Sequence, residues 1–301
     1  MHRRVSLLVV ILVIFPLAGQ AEPYGSGWYG ENQFGFGHED NISRSFYSPD
    51  EVSDEIATLS IGGGHSQKVR DNAQLVFYGY LAVNAHNEHD DLNNLALSVG
   101  STYTLQPTPG YTSFWYRTDV SATILRYDNS DAREGVLFNG DFSINRRLGT
   151  RATGRLGYRY TDLVFIGKTS AEEERDAAFD TATHEIYLGV DYQLRQNLFV
   201  YGEYAFRHGG AWSNNSFAAG VIEYDAETID PVFDECDPND FRCQPRYAGR
   251  TDSDIHRLNA GVAFPIGPMN IDVSAVYYDA EGDNGVEYKD WLLNLGLIWN
   301  F

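Results

Sequence analysis

The chain has 301 residues, with 22 Lys and Arg against 42 Asp and Glu for a net charge of −20, and 14% of its side chains are aromatic, including 20 Tyr against 2 Met. Such a negative balance excludes a nucleic-acid partner, whose phosphates it would repel. A mean hydropathy of −0.35, with no second long apolar run after the amino terminus, excludes a helical membrane protein, because each spanning helix needs about 20 apolar residues. The aromatic excess favours strands, and a membrane barrel built from strands stays open.

At the amino terminus His2, Arg3 and Arg4 form a basic start, Leu7 to Phe15 an apolar run, and Gly19-Gln20-Ala21 a small-x-small cleavage site. Residues 1–21 read as a signal peptide for export. Setting aside Arg3 and Arg4 with that leader leaves 20 basic against 42 acidic residues, or −22. No cysteine stands near the cleavage site to carry a lipid. The two cysteines, Cys236 and Cys243, lie seven positions apart, and in an oxidising compartment they are expected to form a disulfide. Residues 22–32, rich in Gly and Tyr, read as a short periplasmic tail before a barrel over 33–301.

From residue 33 onward one unit recurs, an alternation of apolar with polar or small residues closed by turn residues. It predicts twelve strands: 33–42, 55–67, 74–86, 95–105, 112–125, 135–146, 151–163, 183–194, 197–208, 254–265, 269–279 and 289–301. Every other connection is tight: 68–73, 106–111, 147–150, 195–196 and 266–268. The intervening ones, 43–54, 87–94, 126–134, 164–182, 209–253 and 280–288, are longer and acidic. Short turns at one end and long loops at the other, on an even number of long strands, predict an all-β fold, a transmembrane antiparallel up-and-down β-barrel of about 12 strands. Parity assigns the faces. In 74–86, Leu75, Phe77, Leu81 and Val83 share the lipid side and Gln74, Tyr78, Tyr80 and Asn84 the other; in 183–194, Ile186, Leu188, Val190 and Leu194 oppose Glu185 and Asp191.

At the carboxyl end, Trp291, Leu293, Leu295, Leu297, Trp299 and Phe301 alternate back from the last residue. This segment resembles the terminal strand of bacterial outer-membrane proteins, where a final Phe with alternating apolar residues is the signal read by the barrel-assembly machinery. Near the start, Asp40-Asn41-Ile42-Ser43-Arg44 resembles the "DN-I-x-R" opening of β-barrel porin families of proteobacteria. The resemblance implies a porin-like protein in the outer membrane of a Gram-negative bacterium and brings no catalytic residue with it.

The same parity points Arg151, Arg155 and Arg159 into the lumen, because an arginine facing lipid near the midplane costs about 2–4 kcal/mol. It also turns Arg117, Asp119, Asp141, Glu185, Asp191, Glu203, Arg207, Arg257 and Asp272 inward. Rows of opposite charge on adjacent strands read either as a salt-bridge network that holds the lumen together or as a charged constriction that filters solutes. His184, His208 and His256 fall on consecutive strands with outward parity, near the long-loop rim, where the nearest serines are Ser213 and Ser253. They read as rim residues at lipopolysaccharide headgroups, or as part of a surface hydrolase. Asp252, Asp254 and His256, with Asp90 and Asp91, resemble the carboxylate and Asp-His pairs of omptin proteases, which are smaller barrels. The acidic 209–253 loop is expected first as a solvated cap, next as an inward plug, then as a divalent-ion bridge to lipopolysaccharide. The expected function is passive diffusion of small polar solutes, with a surface hydrolase or a closed structural or adhesive barrel as alternatives. The expected partners are outer-membrane lipid, lipopolysaccharide, the assembly machinery and the solutes. No catalytic residue, metal or cofactor is assigned.

Overall fold

The computed structural model describes residues 26–128, 130, 133–164, 178–216, 224–233 and 246–300. The expected signal peptide, the Cys236–Cys243 pair and Phe301 lie outside the described residues. Thirteen strands follow in chain order: β1 (Gly27–Glu39), β2 (Asp54–Arg70), β3 (Ala73–His86), β4 (Asn94–Leu105), β5 (Trp115–Tyr127), β6 (Gly135–Arg147), β7 (Ala152–Val164), β8 (Ala182–Arg195), β9 (Leu198–Asn215), β10 (Ala226–Ile229), β11 (Tyr247–Ile266), β12 (Met269–Gly282) and β13 (Glu287–Asn300). All except β10 form one closed antiparallel barrel of twelve strands. The wall is continuous because β13 pairs with β1, from Glu31 opposite Asn300 to Glu39 opposite Leu292, and β9 with β11, from Asn215 opposite Tyr247 to Phe199 opposite Ala263. Closure pairs the backbone groups of every barrel strand on both sides, which a sheet in hydrocarbon requires.

The two faces separate as the alternation predicts. Along β8, Ile186, Leu188 and Val190 are exposed on the outside while Thr183, Glu185 and Tyr187 between them are buried inside. Phe77 and Leu81 on β3 and Trp291, Leu293 and Leu295 on β13 continue the apolar outer belt. A belt of large apolar side chains around the circumference is costly in water and matches hydrocarbon.

Several boundaries differ from expectation, among them the end of β2, which runs on to Arg70 and leaves only 71–72 before β3. β1 starts at Gly27, so residues 27–32 are strand and not tail; they pair with Ile61–Ser66 of β2, and the Trp28 ring lies 4.8 Å from that of His65 at a tilt of 57°. β5 starts at Trp115, which lengthens the turn before it to 106–114. The last connection, 283–286, is a tight turn with Gly285 at φ +77°, because β12 and β13 run on through the Asp and Glu residues at their ends. Finally, β9 and β11 extend into the expected 209–253 loop, to Asn215 and back to Tyr247, and β10 lies against the β11 extension.

Candidate functional site: the lumen and its outer mouth

The inward positions of β6, β7, β8, β9 and β11 assemble one ionic cluster. Glu185 accepts from Arg159 (2.5 Å) and Arg257 (2.9 Å) and lies 3.4 Å from Arg207. Glu203 accepts from Arg257 at 2.7 Å and stands 3.9 Å from Arg155, which also reaches Asp191 at 3.3 Å. Arg159 closes the cluster by donating to Asp141 at 3.2 Å. The register produces this, since Arg159 is directly opposite Glu185 on β8, and Glu185 is opposite Arg207 on β9. Glu185, Glu203 and Arg257 are each less than 5% exposed. Eight of the twelve predicted lumen residues are thus interlocked, with four guanidinium groups matching four carboxylates.

The other four stand apart. Arg117 lies 3.9 Å from Asp119 on β5, away from the cluster. Asp272 on β12 accepts from the Tyr201 hydroxyl. Arg151 sits exposed in the bend just before β7, where its carbonyl accepts from the Gln193 amide of β8, outside the ionic cluster. Glu31 on β1, which the sequence reading did not single out, faces inward beside Gln33 and Tyr80. On the β12–β13–β1 wall the described hydrogen-bond partners of Glu31 and Asp272 are therefore neutral.

A second arrangement was not expected from the sequence. Three times an inward tyrosine passes over a glycine on the next strand, and its hydroxyl reaches an aspartate one strand further. Tyr78 crosses Gly100 to Asp119 at 2.8 Å, Tyr187 crosses Gly157 to Asp141 at 2.8 Å, and Tyr201 crosses Gly261 to Asp272 at 2.9 Å. A methyl group at any of these glycines would overlap the ring. Glycine holds the ring against the wall and clears the lumen axis, while the aromatic covers the exposed backbone. The sequence carries a trace of the repeat in Asp119-Val120-Ser121, Asp141-Phe142-Ser143 and Asp272-Val273-Ser274, whose serines stand beside the same hydroxyls.

The outer mouth is bridged from wall to wall. Ile42, Leu92, Val232 and Phe233 form a buried cluster against Val52 and Trp212, joining the β1–β2, β3–β4 and β9–β11 connections. The Arg133 guanidinium, from the β5–β6 connection, lies over Phe179 (4.3 Å) and Trp212 (4.4 Å) and pairs with Asp230 at 2.5 Å. Arg44 covers Trp212 at 4.6 Å from a backbone with φ +52°, an uncommon conformation for a residue with a side chain. Asp50 accepts from the Ser216 amide at 2.6 Å and faces Arg246. Over its described residues, 209–253 is therefore not the solvated cap ranked first. Asn214, Asp230 and Phe233 are buried against groups from the β1–β2, β3–β4 and β5–β6 connections, and Ala211 against Ile255, Ala280 and Tyr288 of the neighbouring strands.

At the rim the histidines do not meet a serine. His184 Nδ1 bonds the Tyr158 hydroxyl (2.7 Å), His256 Nδ1 the Tyr204 hydroxyl (2.7 Å), and His208 Nδ1 contacts Asp254 (2.8 Å). Ser213 is engaged with Tyr224, and Ser253 donates to the Thr251 carbonyl. Among the described residues, no three His, Cys, Asp or Glu side chains are gathered to hold a metal ion. On β13, Leu293, Leu295 and Leu297 occupy the outward register opposite His38, Phe36 and Phe34 of β1, with Trp291 and Trp299 exposed at its two ends.

No family model matches the sequence, and no curated protein does. Among solved structures the chain is similar to an outer membrane channel from Pseudomonas putida F1, with a TM-score of 0.59 at 11% identity over 96% of this chain and 100% of that one. LpxR from Salmonella typhimurium (10% identity, TM-score 0.41, 89% and 99% covered) and the NanC porin (8%, 0.44, 89% and 98%) align less closely. At these identities the likeness is one of fold, and the fold is that of the outer-membrane β-barrels.

Proposed function

We propose that the protein is a channel of the Gram-negative outer membrane through which small polar solutes diffuse, with a preference for cations. The observation that carries this reading is the distribution of charge on the lumen wall. Every arginine of the central cluster is matched by a carboxylate, whereas Glu31 and Asp272 face the lumen with neutral partners. Unneutralised carboxylates on a low-dielectric wall attract cations and repel anions over about 8–10 Å at ordinary salt. The tyrosines pressed onto their glycines keep aromatic bulk off the axis. Export by the leader, insertion by the assembly machinery and contact with lipopolysaccharide belong to the same proposal, and the apolar outer belt supports them.

A second reading, a closed structural or adhesive barrel, is favoured by the wall-to-wall cluster at the mouth. In the channel reading that cluster is a gate that must loosen before solutes pass. Single-channel recording of the purified barrel in a planar bilayer separates the two: stepwise conductance is the expected result, and a silent bilayer containing folded protein would favour the closed barrel.

A further inference from the structure

The outer face carries a row of polar side chains that a diffusion channel does not need. His184 on β8 is directly opposite His208 on β9, and His208 is directly opposite Asp254 on β11. Both histidines are exposed on the outward face, near the rim where β7 to β11 leave the membrane belt. Residues opposite one another on an antiparallel pair have Cβ atoms about 4.5–5.5 Å apart, so two imidazoles there share one small volume.

Each ring is held by its Nδ1. His208 Nδ1 is bonded to Asp254 at 2.8 Å on the β11 side, and His184 Nδ1 to the Tyr158 hydroxyl at 2.7 Å on the β7 side. The rings are thus tied away from each other at Nδ1. With Nδ1 engaged on the β7 side in one ring and on the β11 side in the other, Nε2 is the ring nitrogen that each histidine has left for a ligand on the β8–β9 strip. A carboxylate or other polar group on the second ring nitrogen is the arrangement that orients histidine metal ligands and raises their basicity. Asp252 and Asp283 also stand close enough to act on His208 electrostatically, which biases the strip toward a cation.

We propose that His184 and His208 bind one first-row divalent transition-metal ion, with Zn²⁺ as the case argued, through their Nε2 atoms. Asp254 and Tyr158 act as positioning residues, and the remaining coordination positions stay open to water or to an oxygen ligand from the surrounding headgroups. Two Zn–N bonds of about 2.0–2.1 Å place the Nε2 atoms roughly 3.3 Å apart in tetrahedral geometry, a separation that opposite histidines reach by small side-chain rotations. Two protein ligands make an open site of modest affinity. His256 is the internal comparison: its Nδ1 is also held, by Tyr204, but it faces Phe206 across the strand pair and has no imidazole partner. The inference rests on the barrel and its register and does not depend on conduction.

The test is calorimetric titration of Zn²⁺ into the untagged, chelator-stripped, detergent-folded barrel at pH 7.5. The expected result is one Zn²⁺ per chain, with affinity lowered at least tenfold in both His184→Ala and His208→Ala. Asp254→Asn should lower it about 10-fold or more, and His256→Ala should leave it unchanged. Heat-modifiable migration verifies that each variant is folded, and His184→Gln serves as a second variant should the alanine form fail to fold. Absence of binding to the folded wild type, unchanged affinity in the His184 and His208 variants, or equal loss in His256→Ala would each overturn the proposal.

Discussion

Replacing Glu185 with Gln removes the carboxylate on which three guanidinium groups converge. Arg257 is 4% exposed and retains Glu203, whereas Arg159 retains Asp141 and Arg207 is the most exposed of the three. Removing one partner from a buried ion pair costs about 3–5 kcal/mol, because the remaining charge stays desolvated without compensation. Here Arg207 and Arg159 border the lumen and can turn toward water, so the lower end of that range, about 3 kcal/mol, applies. An exposed pair such as Lys289 with Asp279, 3.9 Å apart, supplies the contrast: breaking it should cost less than about 1 kcal/mol. Reversible urea unfolding of the barrel in lipid vesicles, followed by tryptophan fluorescence, measures both. A Glu185→Gln variant within about 0.5 kcal/mol of wild type, the scale of an ordinary surface substitution, would refute the assignment of the cluster as a buried, mutually dependent network.

Leu188→Arg places a charge in the middle of the outer belt and should destabilise the inserted barrel by about 2–4 kcal/mol by the same unfolding assay, with no effect if that face is not in lipid. Gly157→Ala must displace the Tyr187 ring and its bond to Asp141, so single-channel conductance should fall, while Gly140→Ala, where an added methyl meets nothing within 4 Å, should leave it unchanged. Asp230→Asn removes the carboxylate partner of Arg133 at the mouth and should lengthen open dwell times in bilayer recordings; dwell times equal to wild type would separate that pair from gating. Thiol titration without reductant should find no free thiol at Cys236 and Cys243, and two per chain would contradict their pairing.

Strand positions were legible because one face is uniformly apolar. The 183–194 expectation lies within one residue of Ala182–Arg195 at each end, since a one-residue slip would turn Leu188 inward and Glu185 into lipid. The ends were less legible where that constraint lapses. Gly209-Gly210 and Asn214-Asn215 fall in the expected 209–253 loop, yet their backbone pairs with 247–253 beyond the belt, where no lipid face imposes alternation. The charged lumen followed from parity, but its pairing did not, because Glu185 gathers Arg207 from the adjacent strand and Arg257 from the next but one. Arg151 stands outside that cluster because it precedes Ala152, the first residue of β7, in an exposed bend, and parity cannot tell the first strand residue from the last turn residue. The mouth was least legible. Phe233, Trp212 and Arg133 lie far apart in sequence within polar connections, and only closure of the barrel brings those connections together.

The measurement that bears most directly on the channel is the zero-current potential of the barrel in a planar bilayer under a tenfold KCl gradient, for wild type and for Glu31→Gln combined with Asp272→Asn. The lumen charge distribution predicts a wild-type potential of the sign given by K⁺ passing more readily than Cl⁻, moved toward zero in the double variant while conductance persists. A potential of the opposite sign, or one that the double substitution leaves unmoved, would contradict it.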